Sequence, residues 1–363
     1  MRVPPRTILI TGARAPVALE LVRALKHRGC RVILADTFGV PLARWSRSVD
    51  HFERLPAPVN GLEQFGQAIA HMVARYGIDD VIPTCEETFY VAMVRDRIRC
   101  QVWAPDIDLL RTLHDKWLFS SHAITRGHVP ETVLVSDMSD WRRNTDYVFK
   151  PRFSRFASQT IIGRQMTYAD FTAPSEWIAQ RRIHGTELCV YSVWNQGQMT
   201  AIAIYHPRFR AGQGAGIYLE AAQHQEITSI VEQMGRSLAY HGQLSFDVIL
   251  EHSTGRPYVI ECNPRTTSGA HLLGTSVADA FTGNGFHQPV PGARCAIWYA
   301  MAMYHPRILL QRTYRDAPDV VYHRTDPLPS ILQGLSALYF VASAWRNHCS
   351  VLEATTLDIE WNG

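Results

Sequence analysis

The stretch Leu244–His271, LSFDVILEHSTGRPYVIECNPRTTSGAH, decides the fold of this chain. Two apolar runs, Leu244–Leu250 and about Pro257–Asn263, flank the turn-forming segment HSTGR at 252–256. Two strand-like runs joined by a short loop that contains glycine favour an antiparallel hairpin. The sequence therefore predicts a β-hairpin centred on Thr254, followed by a polar turn that also contains glycine.

This register places oxygen ligands on one face of the hairpin. Asp247 lies opposite Glu261, and cross-strand neighbours have Cβ atoms roughly 4.5–5.5 Å apart. Residues two apart share a face of a strand, so Asn263 points the same way as Glu261. Two carboxylates this close repel unless a cation or a proton lies between them. Oxygen ligands suit Mg²⁺ or Mn²⁺, which predicts a nucleotide–metal site. The alternative is a hairpin with solvated acids on its outer face.

The runs SFDVI and GRPYVIECNPR closely resemble the metal-binding hairpin of the ATP-grasp superfamily. The closest resemblance is to the branch that contains biotin carboxylase and the large subunit of carbamoyl phosphate synthase. In that family, an acid on the first strand and an E-x-N motif on the second hold two Mg²⁺ ions on the phosphates of ATP. The resemblance implies Asp247, Glu261 and Asn263 as ligands of two Mg²⁺ or Mn²⁺ ions. It also implies Arg265, two residues after the Asn, as a catalytic residue at the reaction centre.

The resemblance extends to the segment before the hairpin. The Asp-Lys pair at 115–116 is similar to the entry helix of the family, and the strand YVFKP at 147–151 is similar to the strand that carries its second ATP lysine. The segment QRRIHGTE at 180–187 resembles the linker that holds adenine through backbone groups and ribose through an acid. Phosphate loops are usually rich in glycine, whereas 152–160 has none, so serine hydroxyls and arginine charges are expected to contact the phosphates there. The residues that the resemblance assigns to ATP are Lys116, Lys150, Ser154, Ser158, Gln180, Arg181, Ile183 and Glu187, and Lys150 is also assigned to catalysis.

Residues 1–112 predict a separate α/β lobe. Two short apolar runs around a helical segment within residues 7–36 form a βαβ opening. Dinucleotide binding, with Asp36 on the ribose, is an alternative, but the glycine fingerprint is absent. Acids that follow a parallel strand lie where α/β sheets place ligands, so Glu86 or its neighbour Glu87 is expected to face substrate. The alternative is an acid favoured by the dipole at a helix N-terminus.

The segment HPRFRAGQGAG at 206–216 predicts a second substrate contact. Three glycines and two arginines suit an anionic substrate such as a carboxylate. Arg208 and Arg210 are therefore candidate substrate residues. The alternative is a mobile surface loop without a ligand.

The resemblance implies an α/β protein in which an ATP-grasp fold of two α+β lobes follows a Rossmann-like lobe. The expected boundaries are 1–112 for the Rossmann-like lobe and 113–290 for the ATP-grasp domain, with a small lid lobe at about 122–190. Residues 291–363 are expected to pack on the large lobe as a C-terminal extension, with a terminal edge strand at about 351–360.

ATP-grasp enzymes mostly join a carboxylate to an amine or a thiol through an acyl phosphate. The resemblance therefore implies an ATP-dependent ligase that joins a small carboxylic acid, with amino acids among the candidates, to an amine and releases ADP and phosphate. A small-molecule kinase and a non-catalytic ATP-binding protein are the alternatives.

Composition sets limits on partners. The chain is 46% hydrophobic and 19% charged, as is ordinary for a soluble globular protein, and its net charge of +3 is too small to argue for nucleic acid. Lysine and arginine together number 36, but only Lys26, Lys116 and Lys150 are lysines. Two of the three lysines therefore coincide with the expected ATP lysines.

Cysteine usage and hydropathy address the compartment. The seven cysteines are odd in number and form no C-x-x-C motif, which indicates a reducing cytoplasm. The most apolar stretches, Cys295–Met303 and Ile331–Trp345, fall short of the ~18–20 residues of a membrane span and predict buried helices. The expected partners are small-molecule acid and amine substrates, without nucleic acid or membrane, and a homodimer stays open.

Overall fold

The computed structural model describes residues 5–139, 144–154, 159–212, 214–283 and 285–363 of the chain. Three sheets organise this part of the chain: a parallel sheet of five strands and antiparallel sheets of four and six strands. The α/β class predicted from the sequence is confirmed.

The N-terminal lobe is a parallel sheet, in the order β3-β2-β1-β4-β5, with helices on both faces. Successive residues of a strand point to opposite faces. Ile8 therefore packs in the cluster around the first helix, whereas Leu9 packs with Phe65 and Ile69 of the second. The elements of this lobe are β1 (Thr7–Ile10), α1 (Pro16–His27), β2 (Arg31–Asp36), β3 (His51–Arg54), α2 (Leu62–Tyr76), β4 (Asp80–Ile82), α3 (Glu87–Met93), β5 (Gln101–Val102) and α4 (Ile107–His114).

Asp36, at the end of β2, is paired within the protein. Its carboxylate accepts a hydrogen bond from the backbone N–H of Arg14 at 2.8 Å and another from Arg14 Nε at 3.1 Å. The guanidinium also pairs with Asp358 from the C-terminal segment at 2.6 Å. The carboxylate that a dinucleotide ribose would need is thus already satisfied, which disfavours the dinucleotide alternative.

The small antiparallel sheet has the order β6-β9-β7-β8 and its own core around Val135, Phe149 and Ala179. The expected small lobe is too long at its C-terminal end, because the strand that begins at Gly185 pairs within the large sheet. The elements of this region are α5 (Lys116–Ser121), β6 (Thr132–Leu134), β7 (Tyr147–Pro151), β8 (Ile161–Ile162) and β9 (Trp177–Arg181).

The large sheet has the order β14-β13-β10-β11-β12-β15. One face packs on helix α6, with Val231 and Met234 in the same cluster as Trp194 and Phe246. The other face packs on a 3₁₀ segment, Ser268–Ser276, which also contacts α1 of the N-terminal lobe. The elements are β10 (Gly185–Asn195), β11 (Gln198–Arg210), β12 (Gly216–Ala222), α6 (Gln225–Ser237), β13 (Gly242–Glu251), β14 (Pro257–Asn263), α7 (Val277–Thr282) and β15 (Arg294–Ala296).

The C-terminal extension, expected on the large lobe, contacts the large sheet and also the N-terminal lobe. β15 adds to the edge of the large sheet, while a later helix packs on the N-terminal lobe, where Tyr339 stacks on Phe38 with ring centroids 4.8 Å apart. The expected edge strand at 351–360 is wrong. Ser350 and Glu353 form a capping box instead, which starts a helical turn. The helices here are α8 (Trp298–Tyr304), α9 (Arg312–Arg315), α10 (Leu328–Asn347) and α11 (Val351–Ala354).

Helix α10 differs from the expected buried helix. It extends beyond the apolar run at both ends, and it is the one helix in the described ranges long and apolar enough to cross a membrane by length and composition. Only 22% of its apolar window is buried. Ile331, Leu338 and Trp345 are 69%, 67% and 80% exposed, so the expectation of burial is wrong.

Candidate functional site

The predicted hairpin places Asp247 opposite Glu261. β13 and β14 are antiparallel neighbours in which these two residues are paired, and Asn263 Nδ2 lies 3.4 Å from Asp247 Oδ2. The register shifts between Asp247 and Val248, because Val248 pairs with Val259 and leaves Ile260 as an extra residue. A β-bulge of this kind turns side chains to a new face. The predicted pairing is therefore confirmed, and the bulge is its local cause.

The electrostatics of this pair fit a cation. Burial, and next the negative charge of Glu261, raise the pKa of Asp247 to about 6. Carboxylate and amide oxygens are ligands that Mg²⁺ and Mn²⁺ prefer. Asp247, Glu261 and Asn263 therefore fit a site for a hard divalent cation, and their role as ligands stays a prediction.

Two of the three lysines lie beside these acids. Lys116, at the start of α5, places Nζ 3.4 Å from Glu261 Oε1, and its side chain is only 3% exposed. Lys150, on β7, donates a hydrogen bond to Gln180 Oε1 at 3.1 Å. Burial lowers the pKa of Lys150, and the charge of Glu261 opposes that shift. The structure thus brings two buried ammonium groups to the predicted metal face.

The residues assigned to the nucleoside are only partly brought together. Gln180 is buried and links Lys150 to the hydroxyl of Thr132, to which its Nε2 donates at 3.2 Å. Glu187 lies on β10, beside Asp247 on β13. Ile183 is buried and lies in the segment that connects β9 to β10. The side chain of Arg181 is directed elsewhere, toward Glu251 at 3.8 Å and the ring of Tyr258. A backbone contact from Arg181 to adenine stays a prediction.

The segment after β7 is described in part. The backbone carbonyl of Ser154 accepts a hydrogen bond from Lys116 Nζ at 3.3 Å, so this residue lies next to one of the two lysines. Ser158 lies outside the described residues.

Arg265 connects the hairpin to the N-terminal lobe. Its Nε lies 2.7 Å from Glu86 Oε1, and the Glu86 side chain is 1% exposed. Burial disfavours the charged guanidinium, but Glu86, with smaller contributions from Cys85 and Glu261, outweighs this effect and raises the pKa of Arg265. Glu87 has a different task, because it accepts hydrogen bonds from the hydroxyl of Thr11 and the N–H of Thr84. Of the two acids after β4, Glu86 is therefore the one directed to the site.

Gly12 leaves room for the Glu87 carboxylate beside the turn that follows β1. Its φ is +72°, a left-handed conformation that favours glycine, and a Cβ there would lie 2.7 Å from Glu87 Oε1. Glu87 thus fixes the turn after β1 and leaves Glu86 to Arg265.

Loss of the buried carboxylate at Glu86 is expected to destabilise the protein. Glu86→Gln leaves the partly buried Arg265 guanidinium without its buried counter-ion, and the free energy of unfolding should fall by about 3 kcal/mol. Urea unfolding measures the change. Glu63→Gln is the control, because it breaks a pair with Arg97 that is exposed on both sides and should cost less than about 1 kcal/mol. Equal stabilities of the two variants would contradict the assignment.

The two arginines of the 206–216 segment have different partners in the structure. Arg208 is not brought to the acids, since it pairs with Glu220 at 3.1 Å. Arg210 pairs with Glu187, and its Nη2 lies 3.8 Å from Cys189 Sγ. A bulge in β11 between Pro207 and Arg210 separates the directions of the two side chains, which spacing alone did not predict.

Sequence reasoning missed Cys189. Its Sγ donates a hydrogen bond to Asp247 Oδ1 at 3.2 Å, and the two residues are paired across β10 and β13. A signal was present, because Cys189 is two residues after Glu187 and shares its face of a strand. The order of β10 and β13 in the sheet was needed to use it.

The comparisons with known proteins agree with this geometry. The family model described as the ATP-grasp domain matches residues 113–269. These residues have the ATP-grasp fold. The match spans Lys116, Lys150, the small sheet and the hairpin of β13 and β14, and it ends within the 3₁₀ segment that follows Arg265.

Solved structures share the fold of the ATP-grasp domain and the lobe before it. An L-amino acid ligase from Bacillus licheniformis is 17% identical, with a TM-score of 0.54, and the match covers 75% of this chain and 68% of that one. An N5-carboxyaminoimidazole synthetase from Staphylococcus aureus, complexed with ADP, is 15% identical, with a TM-score of 0.57 and 80% of each chain covered. The biotin carboxylase domain of a 2-oxoglutarate carboxylase from Hydrogenobacter thermophilus, with MgADP and bicarbonate, is 14% identical, with a TM-score of 0.58, and 75% of this chain and 66% of that one are covered.

At these identities the likeness shows the fold alone. The predicted ATP-grasp fold behind a Rossmann-like lobe is confirmed. No curated protein sequence matches the chain.

Proposed function

We propose that this protein is an ATP-dependent carboxylate–amine ligase that joins a small carboxylic acid to an amine through an acyl phosphate and releases ADP and phosphate. The observation that supports it is the convergence of Lys116 and Lys150 on the opposed carboxylates of Asp247 and Glu261. The solved relatives with related folds include an L-amino acid ligase, which makes amino acids the first acids to test.

In the proposed site, ATP lies between the small sheet and the large sheet. Gln180, Ile183 and the backbone of Arg181 would hold adenine, and Glu187 would hold ribose once Arg210 releases it. Lys116, Lys150 and the segment of Ser154 would bind the phosphates. Asp247, Glu261 and Asn263 would hold Mg²⁺ or Mn²⁺, with two ions as the proposed number, and the metal would neutralise phosphate charge during γ-phosphoryl transfer.

Side chains of this protein are placed to support both steps of the proposed reaction, phosphoryl transfer and attack of the amine. The lysine ammonium groups are buried, where their charge acts on the transferred phosphoryl group with little screening. Arg265 is held by Glu86 at the boundary with the N-terminal lobe, where it can stabilise the oxyanion that develops when an amine attacks the activated carboxyl. The acid substrate is proposed to bind near Arg265 and Arg210.

Two other functions stay open as proposals. A small-molecule kinase would stop after phosphoryl transfer, and an ATP-binding protein without turnover would use the same lysines. The pair of Arg265 and Glu86 favours the ligase, because a phosphoryl transfer that ends at the acceptor has no later oxyanion for this guanidinium to stabilise. The proposed compartment is the cytoplasm, in keeping with seven free thiols.

ADP release over a panel of acids and amines, with Mg²⁺ and ATP, tests the function. A ligase should release ADP and phosphate fully only when both an acid and an amine are present. A kinase should release ADP with one acceptor and yield a stable phosphorylated product. No ADP release across a panel that includes the twenty amino acids as acids and as amines would favour the binding protein.

Hydroxylamine should trap the intermediate. With ATP and the correct acid but without amine, hydroxylamine attacks the acyl phosphate, and a hydroxamate should accumulate in step with ADP. The ferric hydroxamate colour assay and mass spectrometry measure it. Release of AMP and pyrophosphate in the same reaction would show adenylation instead and would contradict an acyl phosphate.

A further inference from the structure

A thiol lies beside the metal face of the large sheet. Cys189 Sγ is 3.2 Å from Asp247 Oδ1, and the residue is 6% exposed. Glu187 precedes it by two positions on β10 and points to the same face. One ligand atom from each of Glu187, Cys189 and Asp247 lies within 4.8 Å of the others. Three groups that can each bind a metal therefore meet at one point.

The chemistry of this trio differs from that of the oxygen-only face. Zn²⁺ is bound by cysteine sulfur at about 2.3 Å and by carboxylate oxygen at about 2.0–2.2 Å, and tetrahedral ligands at these lengths are roughly 3.4–3.6 Å apart. Cys189 Sγ and Asp247 Oδ1 are close to this spacing at 3.2 Å, and all three ligand atoms lie within 4.8 Å of one another. Thiolate ligands select borderline and soft cations, whereas Mg²⁺ prefers oxygen. Three protein ligands also leave a fourth position open.

We infer that the nucleotide-free protein binds one thiophilic divalent cation, with Zn²⁺ as the natural candidate, through Cys189 Sγ, Asp247 and Glu187. Binding releases the thiol proton to solvent and leaves one coordination position to water. This inference goes beyond the proposed function. Because Asp247 and Glu187 are also proposed to serve Mg²⁺ and ribose, the Zn²⁺ and the nucleotide–magnesium complexes exclude one another.

Arg210 is the residue that opposes this cation. Its guanidinium pairs with Glu187 and lies 3.8 Å from Cys189 Sγ, so a positive charge already occupies the mouth of the trio. A metal ion must displace it, and the two cations repel. Removal of the charge in Arg210→Gln should therefore tighten metal binding, whereas loss of the thiol in Cys189→Ser should weaken it.

Co²⁺ titration of the nucleotide-free, full-length protein tests the site. Wild type should bind one equivalent of Co²⁺ with a sulfur-to-cobalt charge-transfer band in the near ultraviolet, and Zn²⁺ should abolish the band by displacement. Loss of groups that only support metal ligands typically costs ~10–100-fold in affinity, so loss of the ligand itself in Cys189→Ser should cost at least about 100-fold and remove the band. Arg210→Gln should keep the band and shift the titration to lower Co²⁺ concentration.

Cys262→Ser is the matched control. Cys262 is also buried, on β14, but it lies in the hydrophobic cluster under α6. Its variant should therefore keep the wild-type band and affinity. Co²⁺ binding without a sulfur band, or equal Zn²⁺ affinity of wild type and Cys189→Ser by calorimetry, would overturn the inference. These titrations contain no ATP, acid or amine, so their failure is distinguishable from failure of the proposed ligase.

Discussion

Asp247→Asn should abolish Mg²⁺-dependent ATP turnover while the protein stays folded, and Glu261→Gln should do the same. Each change removes one of the two opposed carboxylates that fit the metal. A bound metal supplies several kcal/mol of charge stabilisation in the transition state, and each 1.36 kcal/mol is tenfold in rate. The expected loss of turnover is therefore about 10²–10³-fold, measured as ADP release at saturating Mg²⁺.

Stability separates this effect from misfolding. Burial and the charge of Glu261 raise the pKa of Asp247, so above that pKa the ionised carboxylate costs the folded protein free energy. Asn at this position removes the cost, and the thermal midpoint of Asp247→Asn at pH 8 without Mg²⁺ should be at least as high as that of wild type. Glu232→Gln, on the exposed face of α6, is the control and should keep normal turnover. Wild-type turnover in either Asp247→Asn or Glu261→Gln would rule out the metal assignment.

Lys150→Arg should lose most ATP affinity although it preserves charge. Lys150 is 7% exposed, and its ammonium group donates to Gln180 Oε1 at 3.1 Å. A guanidinium is a wide, planar fork, whereas an ammonium is a compact point charge. Because Lys150 is buried against Gln180, the wider fork is expected to displace Gln180. Loss of one charge-assisted contact of about 1.5–3 kcal/mol corresponds to roughly 10–100-fold weaker binding.

The other two lysines provide a second test and a control. Lys116→Arg should be similarly harmful, because Lys116 is 3% exposed and lies 3.4 Å from Glu261. Lys26→Arg is the control, since Lys26 pairs with Asp50 at a solvent-exposed position and lies on α1. Calorimetric titration with a non-hydrolysable ATP analogue measures all three variants. Wild-type affinity in Lys150→Arg would place the ATP site elsewhere.

The hairpin shows both the reach and the limit of sequence reasoning. Centring the loop on Thr254 predicted that Asp247 opposes Glu261, and the structure has this pairing. The pairs nearest the loop do not follow that centre, however, since Ile249 pairs with Tyr258. Only the extra residue at Ile260 restores the predicted pairing at the acids. A bulge depends on packing across the sheet, which one strand's pattern does not encode.

Contacts between residues far apart in the sequence were the other features that the sequence did not predict. Glu86 and Arg265 are 179 positions apart by their residue numbers, and neither segment alone indicates that they form a salt bridge. The sequence predicted Arg208 and Arg210 equally as substrate residues, but the bulges of β11 direct their side chains to different partners. The apolar run 331–345 predicted a helix correctly, but composition could not indicate that the N-terminal lobe covers only one of its sides.

The C-terminal extension determines which parts of the molecule can move independently. It joins the edge of the large sheet to the N-terminal lobe through β15, α10 and Asp358, and α1 is further linked to α7 by the pair of Arg28 and Asp279. The small sheet shares no strand with either of the other two sheets in the described ranges. A swing of the small sheet about its connections would therefore carry Lys150 away from Asp247, while the geometry between Asp247, Arg265 and Glu86 stays fixed. Motion of the small sheet would thus leave the group of Asp247, Arg265 and Glu86 preassembled.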